Sequence, residues 1–185
     1  MTLQVPFRLG LSIGVGNLLK TITPANGYQH DLSDYTDSSG TPMQRVFRGR
    51  NIFGYDDPLP MVALLQNPHT EPTHQMDAVN SGVNVGPKEF LIQGFVEDDP
   101  INPTDPAEYL LADVRKCLAL HKASQLGQYR RQYFGITNSE GGGVADFHIG
   151  TGVVRPSDDV SPYAYFWLLL AIELGEDVAN PFAWS

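Results

Sequence analysis

PAEYLLADVRKCLALHK, residues 106–122, decides the helical part of the fold. Leu110, Leu111, Val114, Cys117, Leu118 and His121 recur at spacings of three and four, which predicts an amphipathic helix with those residues on one face. Asp113, Arg115, Lys116 and Lys122 are expected on the opposite face, with the bases late in the helix, where the dipole favours cations. Asp105 is the expected cap, Pro106 suits the first turn, and Glu108 stands three residues after the cap.

Outward from this helix the period shortens. MVALLQ (61–66) is a short apolar run, expected as a buried strand. KEFLIQGFVED (88–98) is a strand candidate in which Phe90, Ile92 and Val96 hint at alternation, with Gly94 as a weak spot or bulge. FHIGTGVVRP (147–156) reads as a strand beside the next, YAYFWLLLAIEL (163–174), which is expected to be central. QRVFRGRNIF (44–53) reads as a strand with basic residues on one side. YDDPLP (55–60), DPINPT (99–104) and Gly141-Gly142-Gly143 read as turns or loops. Residues 67–87 carry little periodic signal and three prolines, and read as a long loop. YRRQYFGIT, after Gly127, is strand or loop.

The first apolar segment, residues 3–22, supports two periods. Val5, Phe7, Leu9, Leu11, Ile13 and Val15 alternate as in a strand, whereas Leu11, Val15, Leu18, Leu19 and Ile22 fit a helical face. Gly10, Gly14 and Gly16 each weaken a helix by about 1 kcal/mol relative to alanine. Pro24 and Asn26-Gly27 end the element in either case. Several strands with one clear and one possible helix define an α+β class: a mostly antiparallel sheet with two helices packed on one face.

The chain has 185 residues, which predicts one domain spanning 1–185. With 42% hydrophobic and 18% charged residues it is globular rather than disordered. Its net charge of −9 is the opposite of the basic excess that phosphate contacts demand of a free-standing nucleic-acid binder. No polybasic segment suits anionic lipid, and the apolar runs at 9–19 and 163–174 are too short to span a bilayer, so no membrane is expected. Cys117 is the one cysteine, so no intrachain disulfide can form. Neither a signal-peptide cleavage pattern after Arg8 nor an internal repeat is seen.

The order of motifs resembles a known family. LLKTITPANGY (18–28), HDL (30–32), RVFRGRNIFGYDDPLPMVALLQNP (45–68) and a closing VANPF (178–182) together resemble the tail terminator, or tail completion, proteins of long-tailed bacteriophages. The resemblance covers the N-terminal third well, the capped helix loosely and the C-terminal strand moderately. It favours a helix over residues 3–22 and leaves 67–87 and 127–146 as loop insertions. It implies a structural protein rather than an enzyme: a hexameric ring at the head–tail neck of the virion, which caps the tail tube protein, ends polymerisation and docks to the head-completion, or connector, protein. Genome DNA would pass through the lumen without specific binding. The alternative within virion assembly is a head–tail connector or minor tail protein of related fold.

Candidate site residues are therefore candidate interface residues. Arg45, Arg48 and Arg50 lie within six residues and are followed by Asp56 and Asp57, so the segment could bridge a neighbouring subunit's acids. The plain alternative is a solvated strand with local pairing to Asp56 and Asp57. Phe182 and Trp184 at the C-terminus suit a partner anchor or back-packing onto the chain's own sheet. Loops 28–42, 67–87 and 127–146 are candidates for contacts along the ring axis.

Other motifs carry less. His69 and His74 flank Glu71 in HTEPTH, the one hint of a small metallohydrolase, but no spacing selects a further ligand among His30, His121 and His148. GLSIGVGNLLKT (10–21) misses a phosphate loop, because Leu19 stands where glycine should precede the lysine. Cys117 reads as core. Asp98-Asp99 and Asp158-Asp159 read as turn acids. No cofactor or metal is expected.

Overall fold

A computed structural model describes residues 4–54, 56–67, 76–77, 83–128, 131–136, 142–159 and 161–182. These residues form an α+β fold. In chain order come α1 (Phe7–Leu19), β1 (Tyr35–Thr36), β2 (Pro42–Met43), β3 (Val46–Arg48), β4 (Met61–Gln66), β5 (Met76–Asp77) and β6 (Val83–Val96). Then follow α2 (Asp105–Ser124), β7 (Gly142–Ile149), β8 (Val153–Arg155) and β9 (Ala164–Asp177). Short 3-10 turns stand at Pro24–Asn26 and Tyr133–Gly135.

β1 and β2 form a small antiparallel pair that takes up the second half of the expected loop 28–42 and ends at Met43. The remaining seven strands make one sheet of order β3-β4-β6-β9-β7, with β5 beside β6 and β8 beside β9. The β3–β4 pair is parallel and the other pairs of this sheet are antiparallel. Its spine is the β6–β9 pair, in register from Val83↔Asp177 to Val96↔Ala164.

Both helices pack on one face of the sheet. β9 alternates in burial, so that Phe166, Leu168, Leu170, Ile172 and Leu174 turn toward the helices and meet Phe90 and Ile92 of β6 and Val62 and Leu64 of β4. From α2, Leu110, Leu111, Val114, Cys117 and Leu118 enter the same cluster. Each fully buried large side chain contributes about 1.5–3 kcal/mol, so this layer dominates the stability of the fold.

Residues 7–19 are helical because burial selects the longer period. Phe7, Leu11, Val15 and Leu19, four residues apart, are all buried, whereas Leu9 of the alternating set is exposed. Gly14 has a packing reason. A β-carbon there would lie 2.1 Å from the carbonyl oxygen of Phe134, so the bare backbone lets the turn at Tyr133–Gly135 sit against the helix.

Several expectations are corrected. β6 starts at Val83, so residues 83–87 of the expected loop are strand, and β5 pairs with them, because the long β9 offers a ladder beyond Lys88. Gly142 and Gly143 belong to β7, opposite Glu176 and Gly175, rather than to a turn. Gly94 makes no bulge. It pairs in register with Phe166, and a β-carbon there would lie 2.1 Å from that ring, so the glycine makes room for it. The strand expected over 44–53 is confined to Val46–Arg48, since Gly49 turns the chain at φ 72°. The cap of α2 is Thr104 rather than Asp105, which lies in the first turn and there complements the dipole.

The border strand β7 is irregular. Its register shifts between Val144 and Asp146, and Lys122 from α2 forms an ion pair with the Asp146 carboxylate at 2.8 Å and donates to the Phe147 carbonyl. Among the described residues no helix is long and apolar enough to cross a membrane.

Candidate interaction surfaces

The three arginines of RVFRGR diverge. Arg45 is half-buried, lies 4.5 Å from the Tyr35 ring centre and donates to the carbonyls of Leu59 and Pro60. It holds the turn before β4 and does not offer its charge outward. Arg50 pairs with Asp57 at 2.5 Å, and the other Asp57 oxygen accepts the Gly54 amide at 2.7 Å. The Arg50 guanidinium also lies over the rings of Phe47 and Phe53. This is the local pairing that the spacing of Arg50 and Asp57 allowed. Asp56 is exposed. Arg48 is the exception: it is exposed and makes no hydrogen bond or ion pair with any described residue.

Phe182 is 43% exposed, while the preceding Pro181 carbonyl accepts the Phe7 amide at 2.9 Å and ties this end of the chain to the start of α1. Trp184 lies outside the described residues, as do His69, Glu71 and His74 and most of the expected loop 67–87. Of the other histidines, His30 and His121 serve packing. Asp99 accepts the amides of Ile101 and Asn102, and Asp158 accepts the Ser161 amide and the Tyr165 hydroxyl, so both act as turn acids. Burial pushes the Cys117 thiol above its ordinary range, which suits a core residue.

One polar group of α2, Asp113, departs from its sequence reading, while His121 packs on the apolar face where it was expected. Asp113, expected outside α2, is only 5% exposed. It accepts the amides of Gln29 and His30 at 2.9 and 3.0 Å and meets the His30 ring at 2.8 Å, so it fastens the loop after α1 to α2. His121 lies among Tyr133, Phe134 and Phe147, and its Nε2 accepts the Phe134 amide at 3.0 Å. Burial holds its pKa below the ordinary 6.5.

The sheet face away from the helices varies along the strands. At one end Met61, Phe95 and Tyr165 are buried under Phe53 and Leu59, with the Phe53 and Phe95 ring centres 4.7 Å apart. At the other end Glu89, Ala171 and His148 lie side by side across β6, β9 and β7. Between these ends runs an apolar row: Leu65, Leu91 and Leu169 are in register across β4, β6 and β9. Leu169 is 45% exposed, and Val153, opposite Trp167 in the next row, is 43% exposed. No described helix covers this row. Sequence reading missed it because each leucine looks like ordinary strand core, and only the register brings the three together.

No protein-family model matches this chain, and no curated protein matches it. Its function is therefore argued from the surfaces themselves.

Proposed function

We propose that this chain is a structural protein of a bacteriophage tail, which self-associates into a ring, hexameric by resemblance, that caps the tail tube and joins it to the head-completion protein. The observation that carries the reading is the open row of Leu65, Leu91 and Leu169, with Trp167 and Val153 beside it, on the face that no described helix covers. An exposed apolar patch of this kind on a water-facing sheet marks a surface that another chain covers. The motif order of the N-terminal third supplies the identity of the assembly. Subunit contacts would build an annulus whose one face matches the tube end without copying it, so that addition stops.

Native mass spectrometry of the purified chain, with binding to isolated tail tubes, tests the reading. A ring-sized oligomer that sediments with tube ends is expected. A chain that stays monomeric and ignores tubes overturns it.

A further inference from the structure

A cleft of about 210 Å³ opens where the first turns of α1 pass the ends of β3 and β4 and the middle of β6. Leu64 and Phe90 form its apolar floor, Leu9 and Ser12 one wall, and Arg48 and Gln66 its polar margin. The polar groups are unbalanced toward donors. The Arg48 guanidinium has five N–H groups and no described partner. The Gln66 carbonyl oxygen already accepts from Lys88 at 3.1 Å, which leaves its amide N–H groups as donors. The Ser12 hydroxyl is turned to the Leu9 carbonyl at 2.9 Å. Among the described residues no carboxylate lines the cleft.

The surroundings add to the imbalance. Lys88 lies beside Arg8, and burial, then the Arg8 charge, hold its pKa below the ordinary lysine value. Glu176 pairs with Arg8 at 2.6 Å and its charge also acts on Lys88, so among the described residues one carboxylate stands against Arg8 and Lys88, and Arg48 has no acidic partner. A local positive surplus thus sits in a chain of net charge −9.

Size and shape restrict the occupant. The cleft is smaller than the roughly 300–1,000 Å³ of sites for drug-sized molecules, and has room for one side chain. A bare phosphate would satisfy the guanidinium but leave Leu9, Leu64 and Phe90 uncovered. A carboxylate on a short methylene stem satisfies both parts, and arginine receives it with two parallel bonds. Copies that each carry −9 repel at a distance, so a positive feature on one that meets an acid on the next favours and orients their association. In a ring this head-to-tail contact repeats at every joint.

We propose that the Arg48 cleft receives an acidic side chain of a second copy of this chain. The inference rests on the ring reading and names one side of its subunit joint.

The test compares the full-length wild type with Arg48→Glu, Arg48→Lys and, as a charge control on the outer side of α2, Arg115→Glu, by sedimentation velocity, with far-UV circular dichroism to verify folding. Arg48→Glu should weaken association by about tenfold or more, Arg48→Lys by less, and Arg115→Glu little. Butyrate, an acid on an apolar stem, should dissociate the wild-type oligomer more than chloride at equal ionic strength. A wild type that assembles while a folded Arg48→Glu variant assembles equally well overturns the cleft and leaves the ring reading standing, as does butyrate acting no better than chloride. A wild type that remains monomeric overturns the cleft, and one that also ignores tail tubes overturns the ring reading with it.

Discussion

The two faces of the β4–β6–β9 sheet are built from neighbouring residues of the same strands, yet they behave as different materials. On the helix side, Leu64, Ile92 and Leu168 are in register and fully closed in. One residue along each strand, Leu65, Leu91 and Leu169 repeat the chemistry on the other side, where, among the described residues, the Phe53–Phe95 cluster closes one end of the face. Side-chain type is the same, so coverage alone separates a core from an open surface. A substitution on the first face should act on folding, and one on the second on association.

The largest effect should come from the covered face. Phe166→Ala empties the space over Gly94 and should cost about 3–5 kcal/mol in urea unfolding. Asp113→Ala leaves the Gln29 and His30 amides without their acceptor and should cost about 2–3 kcal/mol. Gly14→Ala gains helix propensity but drives a methyl into the Phe134 carbonyl, so a net loss of about 1–3 kcal/mol is expected where propensity alone predicts a gain.

A pH-dependent loss should follow from His121. Its folded pKa lies below the unfolded 6.5, so its contribution is complete above pH 6.5 and falls as the pH drops from there through the folded pKa. Protonation also removes the lone pair that accepts the Phe134 amide. Stability should decline over this window, and His121→Gln should flatten the slope. The smallest effect on folding should come from the open face: Leu169→Gln should shift monomer stability by no more than about 0.5 kcal/mol. Under the ring reading it should nonetheless weaken self-association. Equal destabilisation by Phe166→Ala and Leu169→Gln would abolish the contrast between the faces.

The elements legible in the sequence were those whose period is unmixed: α2, β4, the centre of β6 and β9. Residues 3–22 stayed ambiguous because two periods share the same side chains, and the choice is made by partners such as Phe134 that are distant in sequence. The early start of β6 was hidden by Asn84, Gly86 and Pro87, which read as loop residues but are held in the ladder by β9. Among the candidate site residues, the Arg50–Asp57 pair was legible from spacing, while the isolation of Arg48 was not. Asp113 was misplaced because a charge on a helix suggests solvent, whereas here backbone amides from another segment stand in for it. The leucine row was invisible because register between strands a hundred residues apart leaves no local signature.

The irregular β7 margin has a consequence for how copies can meet. A shifted ladder, and a lysine already occupying one of its carbonyls, deny an incoming chain a clean template for backbone zippering there. Growth by sheet extension, the route to fibrils, is obstructed at this rim, and under the ring reading contact between copies would fall on side-chain surfaces, which permit closed particles of finite size.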